Sequence, residues 1–481
     1  MRYGRDETMW WDDQECVYDW DDAEGPHDRL VIIGNGFDLE CGLPTSYGDF
    51  VKYVSALEDI REGINDSMLR SLLAGAHLKQ ISSSATIRTL DDYFEMIQVQ
   101  SAGPVLQKVF FDLIDTVFIR EEVCPEVIDM VKAGYHTYCA NNEAEMSTAT
   151  LRDFFYATFS VRLFDNYWYR LFKDATVGNG WVDIESEIES VIWAIEDTML
   201  HAVPRQKTLD DIIVCPPHGA MVSIIKDVFH LGMGMEMTSS FTLQSENDCT
   251  VVNHLLRSSG ITYRKLRSKL LDDLNDFVLG FEMYLRNYVE HMEGRKTPAV
   301  CAIIESLRHI ESPEDTHVIC FNYTSTLERM LKDEGIDIDV CYVNGRIGDG
   351  RSTCRLVLGM DEYLDDDSVR LMTDFAMFRE YNQRIYKHSD SSYTRWLRRY
   401  ENQNTTSHEV IVMGHSLVAS DYDLLHRVFS LPSMRTAIFY KDDDSFSDLL
   451  ANMTAIMGKN YLIERTASDK RTLKFVDQRE L

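Results

Sequence analysis

The sequence predicts an α/β fold, a parallel sheet interrupted by a long, mostly helical insertion. Three observations predict it. Leu30-Val-Ile-Ile33 is a short apolar run ending in Gly34-Asn-Gly36, with a helix start just beyond. Strand, glycine turn and helix form the entry unit of a nucleotide-binding α/β fold. From about residue 297 strand-like and helix-like segments alternate again, as a parallel sheet requires. Between the two, apolar residues recur every three or four positions, the period of a helix.

The elements follow in order. Residues 1–28 carry ten Asp or Glu against two Arg, with Trp10, Trp11 and Trp20 among them, and read as an acidic tail or a docking segment. Residues 29–60 form the first part of the sheet domain. Ser46 with Asp49 three positions later is a capping box, so a helix starts there. Residues 61–296 form the helical insertion. Its clearest helix runs from Tyr263 to Val289, with Leu266, Leu270, Leu274, Phe277, Phe281, Leu285 and Tyr288 on one stripe, and Leu151 to Phe172 reads as a second, very aromatic helix. Segments 202–220 and 231–250 read as loops. Residues 297–481 hold the remainder of the sheet domain. Strand candidates there are His317–Phe321, Asp339–Val343, Leu356–Leu358, Glu409–Met413 and Thr436–Tyr440. The opening strand thus pairs with strands nearly 300 residues later.

Length and charge bound the function. The 481 residues allow two or three units, and 44% hydrophobic residues exclude wholesale disorder. A formal charge of −31 disfavours nucleic acid and anionic membrane as default partners, because phosphate contacts need clustered Lys and Arg. No apolar run approaches the ~20 residues that span a bilayer, and the N-terminus lacks a signal core, so a cytoplasmic protein is expected. Ten scattered cysteines form no C-x-x-C pair, which gives no zinc ribbon, and Cys301, Cys320 and Cys341 read as buried thiols.

Ligands of parallel α/β sheets bind beyond the carboxyl ends of the strands, so the loops there are the informative ones. Gly34-Asn-Gly-Phe-Asp38 offers two glycines for close backbone approach, but it lacks the third glycine of G-x-G-x-x-G. It is either an ordinary tight turn or a phosphate cradle. Asp38 beside a phosphate is unfavourable unless it binds ribose hydroxyls or a base. In Phe321-Asn-Tyr-Thr324 the amide of Asn322 can orient a water or a ribose hydroxyl, while Ser325 with Glu328 forms a capping box. Tyr342-Val-Asn-Gly345 alone is a turn signal. Met413-Gly-His-Ser-Leu417 resembles a nucleophile elbow but has Val418 in place of the second glycine. Asp421, Asp423 and His426 crowd into one following helix, so the loop suits a nucleotide's ribose or phosphate better than a serine hydrolase using Ser416. Trp181-Val-Asp-Ile-Glu185 reads as a helix start, or as a segment that brings Glu185 to the cleft. Arg384 reads as a phosphate partner or an ion-paired arginine.

Together, Leu30–Leu39 with Gly42-Leu-Pro-Thr-Ser-Tyr47, Phe321–Thr324 and Gly414–Leu417 resemble the AbiH family of bacteriophage abortive-infection proteins, and Trp181–Glu185 and Gln383–Tyr386 look like further family features. The loops are also distantly similar to the NAD-binding motifs of sirtuin-like domains. That resemblance implies a Rossmann-like, sirtuin-like pocket formed by Gly34, Asn35, Gly36, Phe37, Thr324, Asn344, Gly345, Gly414 and Ser416. It places Asn322 near the nicotinamide ribose and Ser416 near the adenosine half, and suggests NAD hydrolysis. The sirtuin catalytic His falls on Asn344, an amide that is no general base near pH 7, and the zinc module is absent, so no zinc and no deacetylation are expected. Asn322, His415 and Asp38 are then the catalytic candidates, with Glu185 as a stabiliser from the insertion. NAD is the expected substrate, with no further cofactor. A homo-oligomer contact or a phage-derived activator is the expected control. The alternative is a nucleotide-sensing binding module without catalysis.

Overall fold

The computed structural model describes residues 28–62, 111, 114–141, 163–179, 183–201, 224, 227–230, 263–308, 316–347, 354–360, 375–402, 408–418, 421–432, 434–467 and 471–481. The loop expectations for 202–220 and 231–250, and most of the acidic tail, lie outside these residues.

Strand β1 (Asp28–Ile33) leads into the short helix α1 (Asn35–Glu40) and then α2 (Tyr47–Glu62). The insertion supplies α3 (Pro125–Asn141), α4 (Tyr167–Asn179), α5 (Ile184–His201) and α6 (Tyr263–Asn287), and α7 (Pro298–Arg308) leads back to the sheet. There follow β2 (Thr316–Cys320), α8 (Thr326–Asp333), β3 (Asp339–Tyr342), α9 (Glu380–Lys387), α10 (Tyr393–Glu401), β4 (His408–Met413), α11 (Tyr422–Phe429), β5 (Met434–Tyr440), α12 (Asp443–Met457), α13 (Lys459–Ala467) and β6 (Leu473–Asp477).

The six strands form one sheet in the order β3-β2-β1-β4-β5-β6, and all its pairings are parallel. This is the Rossmann order, reversing direction between β1 and β4. β1 is therefore central, paired with β2 through Val31↔Val318 and with β4 through Val31↔Ile411. Its run of apolar residues has no polar alternation because both faces are covered. Val31 and Ile33 join a core cluster with Phe50, Tyr53, Trp168, Phe277 and Tyr284 from the helices between β1 and β2. Leu30 and Ile32 face a second cluster with Trp396, Leu397, Leu425 and Met453 from α10, α11 and α12. Helices thus cover both sheet faces, each strand dividing its side chains with period two.

Five sequence expectations change. Leu356–Leu358 is not a strand. It is a buried segment whose backbone bonds run mostly to side chains: Gln383 brackets Leu358, Lys387 donates to the Leu356 carbonyl, and Tyr323 donates to the Val357 carbonyl, while the Val357 N–H donates to the Asn344 carbonyl at 2.9 Å. The sixth strand is instead Leu473–Asp477, which pairs with β5 along the sheet edge. Its sequence, LKFVD, mixes charged and apolar residues as a partly exposed strand does. The second aromatic helix begins at Tyr167, because Asn166 accepts from the Tyr169 N–H at 3.0 Å and Asp273 accepts from that of Tyr167 at 3.3 Å; residues 151–162 lie outside the described set. Ser325 does not cap α8. Its hydroxyl donates to Glu290, and Glu328 is drawn away to Tyr342 and Arg346. Cys301 is exposed, since α7 turns Val300, Ile303, Ile304 and Leu307 inward instead. The Ser46–Asp49 box does form, with Asp49 N–H to Ser46 Oγ at 3.0 Å and Ser46 N–H to Asp49 Oδ2 at 3.1 Å.

Candidate functional site

The loops after β1 and β4 meet at the point where the strand order reverses. The Gly34 N–H donates to the Met413 carbonyl at 3.1 Å and the Gly36 N–H to the Gly414 carbonyl at 2.8 Å. Gly414 has φ +70, and a Cβ there would lie 2.1 Å from the Phe37 nitrogen. A Cβ on Gly36 would lie 2.7 Å from the Gly414 Cα. These glycines are needed because the two backbones pass through one another's van der Waals space. The close approach foreseen for a ligand is made, in this structure, by the neighbouring loop. Phe37 points into the core, and Asn35 is exposed.

α1 carries Asp38 to the carboxyl end of β2, where the side chain is 1% exposed. Thr324 Oγ1 donates to its Oδ2, while Oδ1 is buried with no hydrogen-bond partner. Burial raises the carboxyl pKa from 3.8 to about 6; the Thr324 hydrogen bond and the nearby polar side chains of Thr326 and Asn322 oppose the rise, and the Glu290 charge adds to it. Asn322, 4% exposed, likewise has a buried Oδ1 without a partner. The two residues foreseen as reactive thus stand together, each with an unsatisfied acceptor oxygen. Burial and the Asp38 charge hold the thiols of Cys41, pushed to about 12, and of Cys320 protonated, so neither is poised as a nucleophile.

A second cluster lies beyond β3 and β4. His415 is 7% exposed and packs edge-on to Phe321 at 4.3 Å. Its Nδ1 accepts from the Leu417 N–H at 2.9 Å, so that nitrogen is unprotonated, and its Nε2 faces Asp421 Oδ2 at 3.3 Å. Both ring nitrogens are therefore engaged. Leu417 has φ +56, an unfavourable value for a bulky residue, and the bond to His415 helps to hold it there. Arg384 Nη2 donates to Asp421 Oδ1 at 2.9 Å, to Glu380 Oε2 at 3.0 Å and to Asn344 Oδ1 at 2.9 Å. Arg384 is thus the ion-paired arginine of the two readings. Burial disfavours the Asp421 carboxylate, but His415 and Arg384 outweigh it and hold its pKa below the usual range. Gly345 has φ +78, and a Cβ there would lie 2.5 Å from the Arg355 carbonyl oxygen, which fixes the turn that presents Asn344.

Other residues stand apart. Ser416 is exposed, and its carbonyl accepts from Asn452 at 2.8 Å. Asp423 and His426 are exposed on α11. Trp181 lies outside the described residues. Asp183 caps α5 by accepting from the Ser186 N–H at 3.1 Å. Glu185, half-buried in the first turn of α5, contributes to the raised pKa of both Tyr47 and Tyr323, in each case after burial. Those two phenols are 3.0 Å apart, and Tyr323 directly follows Asn322, so the insertion brings a carboxylate to this edge.

Sequence reasoning missed Glu380 and Tyr47 as parts of this edge, and it weighed Asp421 only as a hydrolase acid. Glu380 and Arg384 are four apart on one helix, the single local signal that existed. A cleft of about 500 Å³ lies between α4 and α5, lined by Tyr167, Arg170, Ser190 and Asp227 among others, and by no residue of the sheet edge. Among the described residues, no group of three His, Cys, Asp or Glu side chains is placed to hold a metal ion, and no helix is long and apolar enough to cross a membrane.

A family model described as bacteriophage abortive infection AbiH matches residues 30–441, most of the chain. No curated protein matches it.

Proposed function

The chain belongs to the AbiH family of bacteriophage abortive-infection proteins, and from that premise we propose that it acts by binding NAD at the β1–β4 crossing and hydrolysing it. The observation that carries this reading is the pair of buried, unsatisfied acceptors, Asp38 Oδ1 and Asn322 Oδ1, side by side at the sheet's carboxyl edge. Buried polar atoms are normally hydrogen-bonded, so two orphans together call for a partner. Acceptors repel phosphate and invite O–H donors, and the vicinal hydroxyls of a ribose supply two. The Rossmann strand order and the distant likeness to sirtuin-like motifs support the same ligand.

In the proposed reaction the bond between ribose C1′ and the nicotinamide nitrogen breaks, and its electron pair leaves with nicotinamide. A water oxygen bonds to C1′, giving ADP-ribose, and the water proton passes to the Asp38 carboxylate and on to solvent. With a pKa near 6, Asp38 is mostly ionised at pH 7 and basic enough to accept that proton. Its negative charge also stabilises the developing oxocarbenium ion. Asn322 orients the water or a ribose hydroxyl. His415 holds the Leu417 turn against the site and, through Asp421 and Arg384, links it to Asn344. Glu185 adds a stabilising charge from the insertion. Gly34, Gly36 and Gly414 fix the loops, and Thr324 fixes Asp38. Asn35, Phe37, Gly345 and Ser416 belong to the NAD-binding wall only by the sirtuin likeness.

A second reading has one observation in its favour: His415 has no free nitrogen, and Asn344 is committed to Arg384. A site whose one remaining base is Asp38 suits a nucleotide sensor that binds without turnover. Calorimetry with NAD and with ADP-ribose, run beside a nicotinamide-release assay, separates the two. Hydrolysis predicts release that Asn322→Ala abolishes. A sensor predicts heat of binding without release. Neither heat nor release removes NAD as the ligand.

A further inference from the structure

We infer that the acidic segment 1–27 docks in cis on the basic outer face of α10. α10 is strongly amphipathic. Trp396, Leu397 and Tyr400 are buried, whereas Arg395, Arg398 and Arg399 are exposed at positions i, i+3 and i+4, one side of the helix. Among the described residues Arg395 makes no ion pair, Arg398 lies near Glu401, which Arg427 binds, and Arg399 is already engaged. Such a stripe is unusual on a chain of net charge −31. It would be expected to draw the nearest available carboxylates, because the interaction is attractive within about 10 Å at ordinary salt.

The N-terminal acidic segment leads directly into β1, at the same amino-terminal edge of the sheet as α10. Residues 1–27 hold nine Asp or Glu and two Arg. The described chain begins at Asp28, and that residue already lies beside α10. Asp28 Oδ2 is 3.2 Å from His408 Nδ1, and the His408 ring is 5.1 Å from the Tyr400 ring. Trp396 stacks on His317 at 4.2 Å, so α10 lies along the amino ends of β2 and β4, which flank β1. Asp19, Asp21, Asp22 and Glu24 are four to nine residues from Asp28. At roughly 3.3–3.6 Å per extended residue they reach across a helix face. Trp20 among them supplies an apolar contact, and Arg guanidinium groups stack on aromatic faces.

The test uses the full chain carrying Arg398→Lys, which keeps the charge and adds an amine. A zero-length carbodiimide reagent joins that amine to any carboxylate in direct contact, and peptide mass spectrometry reads the partner. The inference expects links from position 398 to carboxylates within 1–27 in the monomeric species, lost when Arg395→Glu and Arg399→Glu are added. Links from position 398 only to other segments overturn it. So do links to the tail confined to a cross-linked dimer, which would assign the stripe to a second copy. Thermal melts of both variants show that each is folded.

Discussion

At the scale of the residue, Asp38 sets stability against function. Its folded-state pKa of about 6 lies above the 3.8 of an unperturbed carboxyl. Between those values the folded chain holds a proton that the unfolded chain releases, so stability is full below about pH 4 and falls as pH rises through 6. The loss is of the order of 3 kcal/mol. Asp38→Asn removes that liability. Denaturant titrations should find the variant more stable than the parent at pH 7.5 by roughly 1–3 kcal/mol, with the gap closing towards pH 4. The same variant should lose nucleotide binding, because an N–H donor then replaces one of the acceptors. A variant no more stable than the parent at pH 7.5 would show that the buried carboxylate is better satisfied than its orphan oxygen indicates. Asp421 behaves in the opposite sense: its pKa is held down, so its contribution is present at neutral pH and lost as pH falls. Arg384→Ala leaves Asp421 and Glu380 buried without their shared guanidinium. Equilibrium unfolding should register a loss of about 3–5 kcal/mol.

At the scale of the element, the crossing of the β1 and β4 loops is the most constrained feature. Gly414→Ala forces a Cβ against the Phe37 nitrogen and a left-handed backbone at once, and should destabilise by about 3 kcal/mol or more. Gly335→Ala, at φ +72 with nothing within 4 Å, is the control and should cost about 1–2 kcal/mol. Equal losses at the two positions would contradict the interlocked loops. The same loops show what the sequence can and cannot disclose. Strands β1, β2, β4 and β5 were legible because buried parallel strands read as unbroken apolar runs. β6 was not, because Lys474 and Asp477 interrupt an edge strand. Leu356–Leu358 imitated a strand, since apolar composition reports burial and not sheet pairing. Asp38 and Asn322 were legible as residues at strand ends. Their meeting was not, because 284 residues separate them in the chain. The bonds from Arg384 to Asn344 and Asp421 were equally hidden, since they join three separate segments.

At the scale of the whole molecule, a helical insertion and a Rossmann-ordered sheet share one continuous apolar cluster, with α5 bringing Glu185 to the sheet's carboxyl edge. If the insertion takes part in catalysis as well as covering the sheet, Glu185→Gln should lower the rate of NAD turnover several-fold while leaving the melting temperature nearly unchanged. An unchanged rate would confine the chemistry to the sheet loops. The α10 stripe lies at the opposite, amino-terminal edge of the sheet, so variants there should leave nucleotide affinity unaltered. NAD hydrolysis is tested most directly by the time course of nicotinamide release from NAD by the purified chain, run beside Asn322→Ala and Asp38→Asn. NAD hydrolysis at this edge requires release by the parent and none by either variant. No release by the parent, or equal release by all three, would contradict it.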